Sequence, residues 1–126
     1  AERGIENNRQ IIGRNYHGYP IGIGGVELVM SFTRDQNARV EIYIHNNDEL
    51  FDRLYQKRTM LCSKTGLQLN FDRLNHRQDS RIEVLRTCTI HDSPEELIKI
   101  QEWQIECFVK MREIFPDIIN RIRGCA

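Results

Sequence analysis

Between Arg39 and His45 the chain alternates strictly: Val40, Ile42 and Ile44 are apolar, while Arg39, Glu41, Tyr43 and His45 carry polar groups. Strand side chains project to opposite faces with a period of two, so this run predicts a strand with one face turned to a core. A second stretch obeys a different period. Leu97, Ile100, Trp103, Cys107, Met111, Ile114 and Ile118 recur at steps of three or four, widened by Phe108 and Phe115 into the apolar stripe of a long helix. A chain holding both periods is neither a sandwich nor a pure bundle. The expected class is α+β, a mainly antiparallel sheet of about five strands with two or three helices packed on one face.

The intervening segments fill in that plan. Val26, Leu28, Met30 and Phe32 share one face of a strand, with Glu27, Val29, Ser31 and Thr33 opposite, so one sheet face is expected to be buried and the other wet. Tyr16 to Pro20 reads as a turn, and Gly24-Gly25 as the positive-φ pair of a tight hairpin. Apolar residues at Leu50, Phe51, Leu54 and Leu61 predict one helix from Asp48 to Lys64, stopped at Gly66. Leu67, Leu69 and Phe71 then predict a strand, Leu74 to Asp79 a polar loop, and Arg81 to Thr89 a returning strand with Ile82, Val84 and Cys88 on one side. Phe-Asp-Arg-Leu occurs at Phe51 to Leu54 and again at Phe71 to Leu74, but in helical and strand contexts, so it marks no repeat. Ser93-Pro94-Glu95-Glu96 reads as a capped helix start, Pro116 as a kink or restart, and Gly124 as the stop. Residues Ala1 to Asn15 read as the tail of a further helix.

Composition narrows the class of partner. With 126 residues, the chain is expected to form a single domain over 1–126. Its 18 basic and 18 acidic residues cancel, so no global field draws it to nucleic acid or to an anionic membrane. Any such binding must be local. No stretch approaches the roughly 18 apolar residues of a membrane span, and a cytoplasmic location without membrane contact is expected. Cys62, Cys88, Cys107 and Cys125 lie too far apart for a zinc knuckle; the first three read as reduced core thiols and Cys125 as exposed. No metal and no cofactor are expected.

The series Asn47 to Leu54, then Thr65-Gly66-Leu67-Gln68-Leu69-Asn70-Phe71, then Ser80-Arg81-Ile82-Glu83-Val84, then Glu102-Trp103 resembles a bacterial and archaeal family of domains of unknown function. The resemblance runs from Gly22 to Ile119, with Phe71 where many relatives are expected to carry tryptophan. It implies a domain often placed C-terminal to modules that resemble restriction-type nucleases. It supplies no catalytic residues.

Each candidate constellation has a plainer structural reading. Gly18, Gly22, Gly24 and Gly25 precede a strand rather than a helix, so a hairpin explains them better than a phosphate cradle. Glu27, Glu41 and Glu83 could meet on the open sheet face and hold a hard cation, but Arg39, Arg81 and Arg86 are placed to pair with them. Tyr43 stands where restriction-type nucleases have lysine two residues after an acidic ligand. His17, His45, His76 and His91 show no metal or nucleophile spacing. The local basic concentration is Arg53, Lys57 and Arg58 on the helix with Arg73, His76, Arg77 and Arg81 beyond it, and it suits phosphates. Its alternative is a solvated face paired with Asp52, Asp72 and Asp79. Phe108, Phe115 and Ile119 widen the last helical stripe beyond what one small sheet needs, and are the expected partner interface.

The leading expectation is therefore a non-catalytic accessory domain of a nuclease-associated prokaryotic protein, serving assembly or partner docking. The second is a nucleic-acid-binding module using the patch from Arg53 to Arg81. A second copy of the chain, an upstream nuclease-like domain, and DNA or RNA are the partners these readings name.

Overall fold

The computed structural model describes residues 16–33, 37–74, 78–88 and 93–124. The expected N-terminal helical tail, His76, Arg77, His91 and Cys125 lie outside them. Five strands form one antiparallel sheet: β1 (Tyr16–Pro20), β2 (Val26–Phe32), β3 (Asn37–Ile44), β4 (Asn70–Arg73) and β5 (Ser80–Thr87), in the order β1-β2-β3-β5-β4. The helices are α1 (Asp48–Gln56), α2 (Arg58–Thr65) and α3 (Pro94–Gly124). The class is α+β, as the two periods require.

The alternation in β2, β3 and β5 sends Leu28, Met30, Val40, Ile42, Ile44, Ile82 and Val84 to the same side, where they form one buried cluster with Leu50, Phe51 and Leu54 of α1, Leu61 of α2 and the stripe of α3. Phe32, Ala38, Cys88, Ile100 and Trp103 make a smaller cluster near the start of α3. Gln104, buried in α3, donates from Nε2 to the carbonyls of Ser31 (3.2 Å) and Arg39 (3.3 Å), tying the helix to two paired strands.

Local chemistry sets the helix ends. Asn47 Oδ1 accepts the Leu50 amide at 3.1 Å, and Asp48 and Glu49 in the first turn of α1 oppose the positive end of its dipole. Ser93 Oγ accepts the Glu96 amide at 3.3 Å, just before Pro94 opens α3. Gly66 ends α2 at φ 70, a conformation glycine adopts at no steric cost.

Several expectations fail for identifiable reasons. Tyr16 to Pro20 is an edge strand and not a turn, paired through Pro20↔Glu27; proline is tolerated there because an edge strand need not donate on both sides. The turn lies at 21–25, and the positive φ angles fall on Gly22 and Gly25 rather than on Gly24 and Gly25. The helix from Asp48 to Lys64 is two helices, broken at Lys57, whose amide donates to Leu54 O (3.0 Å) in a tightened turn. Neither glycine nor proline marks that break. Pro116 does not restart the last helix: it lies inside α3, which continues to Gly124. The second face of the sheet is not simply wet: Val29, Ser31, Glu41 and Glu83 are buried on it.

Candidate functional site

The expected basic patch is divided by the structure among three places. Arg81 follows the parity of Glu83, opposite to Ile82, and so lies on the sheet face away from the helices. Arg58 and Arg73 flank the aromatic group of Phe51, Tyr55 and Phe71. The Arg58 guanidinium lies 4.1 Å over the Tyr55 ring and donates to Tyr55 O at 2.9 Å. Arg73 is paired with Asp48 (3.5 Å) and with Asp52, and lies 5.2 Å over Phe51. These two arginines are therefore already engaged. Arg53 and Lys57 sit on the opposite flank of α1, facing the end of α3.

There the structure forms a cleft of about 730 Å³, lined by Arg53, Gln56, Lys57, Met60, Ile118, Arg121 and Ile122. It adjoins a recess of about 250 Å³ in which Asn47, Glu49, Leu50 and Arg123 join Arg53 and Ile122. The spacing of α3 explains one wall: Ile118 and Ile122, one turn apart, point to the core, and Arg121 and Arg123 flank Ile122 in the last turn. Cations in a last turn also complement the helix dipole, which is the structural reason for arginine there. The α1 flank and the break at Lys57 build the other wall.

Among the described residues, four cations thus converge on the cleft and its adjoining recess, Arg53, Lys57, Arg121 and Arg123, against one lining carboxylate, Glu49. Glu49 pairs with Arg53 at 3.2 Å, and Arg53 Nη1 also donates to Ile122 O at 3.4 Å, which anchors its guanidinium across the cleft. Lys57, Arg121 and Arg123 form no ion pair with a described residue. Arg121 and Arg123 escaped sequence reasoning because they read as the ordinary basic end of a helix. Nothing in the sequence brings that end against α1.

The second polar cluster is on the far sheet face. Register sets Glu41 directly opposite Glu83, an unfavourable pairing that two arginines offset. Arg39 reaches Glu41 (3.0 Å), Glu83 (3.7 Å) and Ser31 Oγ (3.2 Å). Arg81 reaches Glu41 (3.2 Å) and Glu83 (3.9 Å), and Asn70 Nδ2 donates to Glu83 at 2.9 Å. The contact of Arg81 Nε with Glu41 Oε1 is an ion pair without hydrogen-bond alignment. Burial raises the Glu41 pKa; Arg39 and Arg81 work against that, while Glu83 and Asp72 add to it. With its acids held by arginines, and Glu27 held by His45 at 2.7 Å, this face fits the pairing reading rather than a cation site. Among the described residues no group of three or more His, Cys, Asp or Glu could hold a metal ion.

The expected partner face needs a correction. Phe108, Phe115 and Ile119 are core residues, each at most 1% exposed, and Tyr19 of β1 meets the Phe108 ring edge-on at 5.0 Å. The stripe is wide because α1, α2 and β1 pack on it as well as the central strands. Cys107 is buried too, and burial pushes its thiol up to about 11, so it stays protonated and unreactive.

The model of a domain family of unknown function, DUF4268, matches residues 4–119, nearly the whole chain. This chain belongs to that family. No curated protein and no solved structure matches it. Within the DUF4268 match lie the sheet, α1, α2 and most of α3, including Arg53, Lys57, Met60 and Ile118 of the cleft; Arg121, Ile122 and Arg123 follow it directly. No helix among the described residues is long and apolar enough to cross a membrane.

Proposed function

We propose that this DUF4268 domain is a non-catalytic accessory module that engages the phosphate backbone of a nucleic acid through the cleft between α1–α2 and the end of α3. The observation that carries the reading is the convergence of four cations on one concave surface, three of them without an ion-pair partner among the described residues. In a chain of zero net charge, a local field of this kind has to be assembled from separate elements. Among the described residues the cleft is lined by cations, amides, apolar side chains and Glu49, a lining that supports binding. The resemblance to domains that accompany restriction-type nucleases gives such a module a context, holding a polymer that a neighbouring domain processes. Assembly through Phe108, Phe115 and Ile119 loses its basis, because those side chains are in the core.

Salt titration tests the reading. With about four phosphate contacts, the logarithm of the binding constant falls against the logarithm of salt with a slope near -3.6 on duplex and near -2.8 on a single strand. The double variant Lys57→Gln, Arg121→Gln removes about two contacts and flattens the slope by roughly half. Its thermal stability stays close to the wild type, since exposed charges contribute only about 0–1 kcal/mol each. If the wild type retains neither DNA nor RNA at about 50 mM salt, where such binding is strongest, the reading fails.

A further inference from the structure

We infer that the cleft takes single-stranded rather than duplex nucleic acid, with phosphates on its cations and bases packed against Met60 and the guanidinium planes; this rests on the phosphate-binding reading above. The first ground is shape. A duplex is a convex rod whose phosphates lie on ridges beside grooves about 12 Å and 6 Å wide, and proteins reach it with an element that enters a groove. Here the cations line a recess between α1–α2 and α3, so a rod laid across it would meet only the rims. A single strand is flexible enough to follow the recess.

The second ground is the order of chemistry across the cleft. Arg53 and Lys57 belong to the α1–α2 side and Arg121 to the α3 side, with Arg123 in the adjoining recess, and half-buried Met60 supplies the accessible apolar surface, Ile118 and Ile122 being almost closed off in the core. Apolar surface set among cations is poorly matched to a duplex, which exposes phosphates and hides the faces of its bases. It matches a single strand, whose unstacked bases offer large apolar faces and whose phosphates stand at the strand's margin. The Gln56 amide, on the Lys57 side of the cleft, can both donate to and accept from a base edge without selecting one base. Among the described residues no aromatic ring lines the cleft, so base contact comes from aliphatic packing and from guanidinium planes. Sequence preference should accordingly be weak.

DNA and RNA share this chemistry, so the test carries arms for both. The intact chain is titrated, by fluorescence anisotropy at about 50 mM salt, with a labelled mixed-sequence DNA strand, its RNA counterpart, and each strand annealed to its complement. Single strands of at least one type should bind about tenfold or more tighter than either duplex. The tighter arm identifies the source. Gln56→Glu, an exposed change that puts a carboxylate inside the cleft, should weaken single-strand binding about tenfold, and Met60→Ser should weaken it while leaving the salt slope unchanged.

Duplex binding as tight as single-strand binding, and still lost in the Lys57→Gln, Arg121→Gln variant, would overturn this inference and leave the phosphate-binding reading standing. Single-strand binding indifferent to both Gln56→Glu and Met60→Ser would also overturn it. Retention of none of the four probes defeats both proposals together.

Discussion

Truncating Phe115 to alanine is expected to lower the unfolding free energy by about 3–5 kcal/mol, because its fully buried ring sits in the cluster that joins α3 to the sheet and leaves a cavity there. Urea denaturation followed by circular dichroism reads this as a lower midpoint at unchanged slope. Phe115→Asp places a charge in the same site and should yield no folded protein at all. The measurement also separates core from interface. A variant that stays as stable as the wild type but changes its mass in light scattering would return Phe115 to a partner surface.

The second large effect concerns the far sheet face. Arg81→Leu removes one of the two guanidinium groups that face Glu41 and Glu83, and breaking a buried pair typically costs about 3–5 kcal/mol. Arg81 is 18% exposed and Arg39 remains, so the lower end, about 3 kcal/mol, is expected at neutral pH. The loss should depend on pH. The folded-state pKa of Glu41 already lies above its ordinary value of 4.5, and losing Arg81 removes one of the influences that lower it. A carboxyl whose folded pKa is raised binds more protons in the native than in the unfolded state. Its favourable contribution is therefore fully present below the unfolded pKa and is lost as pH rises through the folded value. The deficit of Arg81→Leu relative to wild type should shrink as pH falls from neutral towards 4.5. A deficit that stays constant or grows on acidification would show that Glu41 is not the group left uncompensated.

The contrast between these two sites shows where sequence reading reaches. The core face of β3 was legible because Val40, Ile42 and Ile44 are separated by the strand period itself, and the helix stop at Gly66 and the cap at Ser93 were legible because each acts within four residues. The pairing of Glu41 with Glu83 depends on β3 lying beside β5, a neighbour relation that skips β4 in the chain order. Strand parity alone would have placed Arg81 with Glu83 and away from Arg53; grouping basic residues by sequence proximity concealed that. Edge strand β1 was missed because Tyr16 to Pro20 has no apolar alternation and contains the glycine and proline that usually mark turns. Half of the cleft was legible as basic residues at Arg53 and Lys57. The other half comes from α3, about sixty residues away in the chain, and only packing brings the two together.

The location of binding is the central claim, and amide chemical-shift mapping tests it directly. The isotopically labelled chain is titrated at low salt with the oligonucleotide that it binds most tightly. The account predicts saturable perturbations concentrated at residues 53–60 and 118–123, the two walls of the cleft. Perturbations centred instead on the sheet face around Arg39, Glu41 and Arg81, or absent from the end of α3, would contradict it.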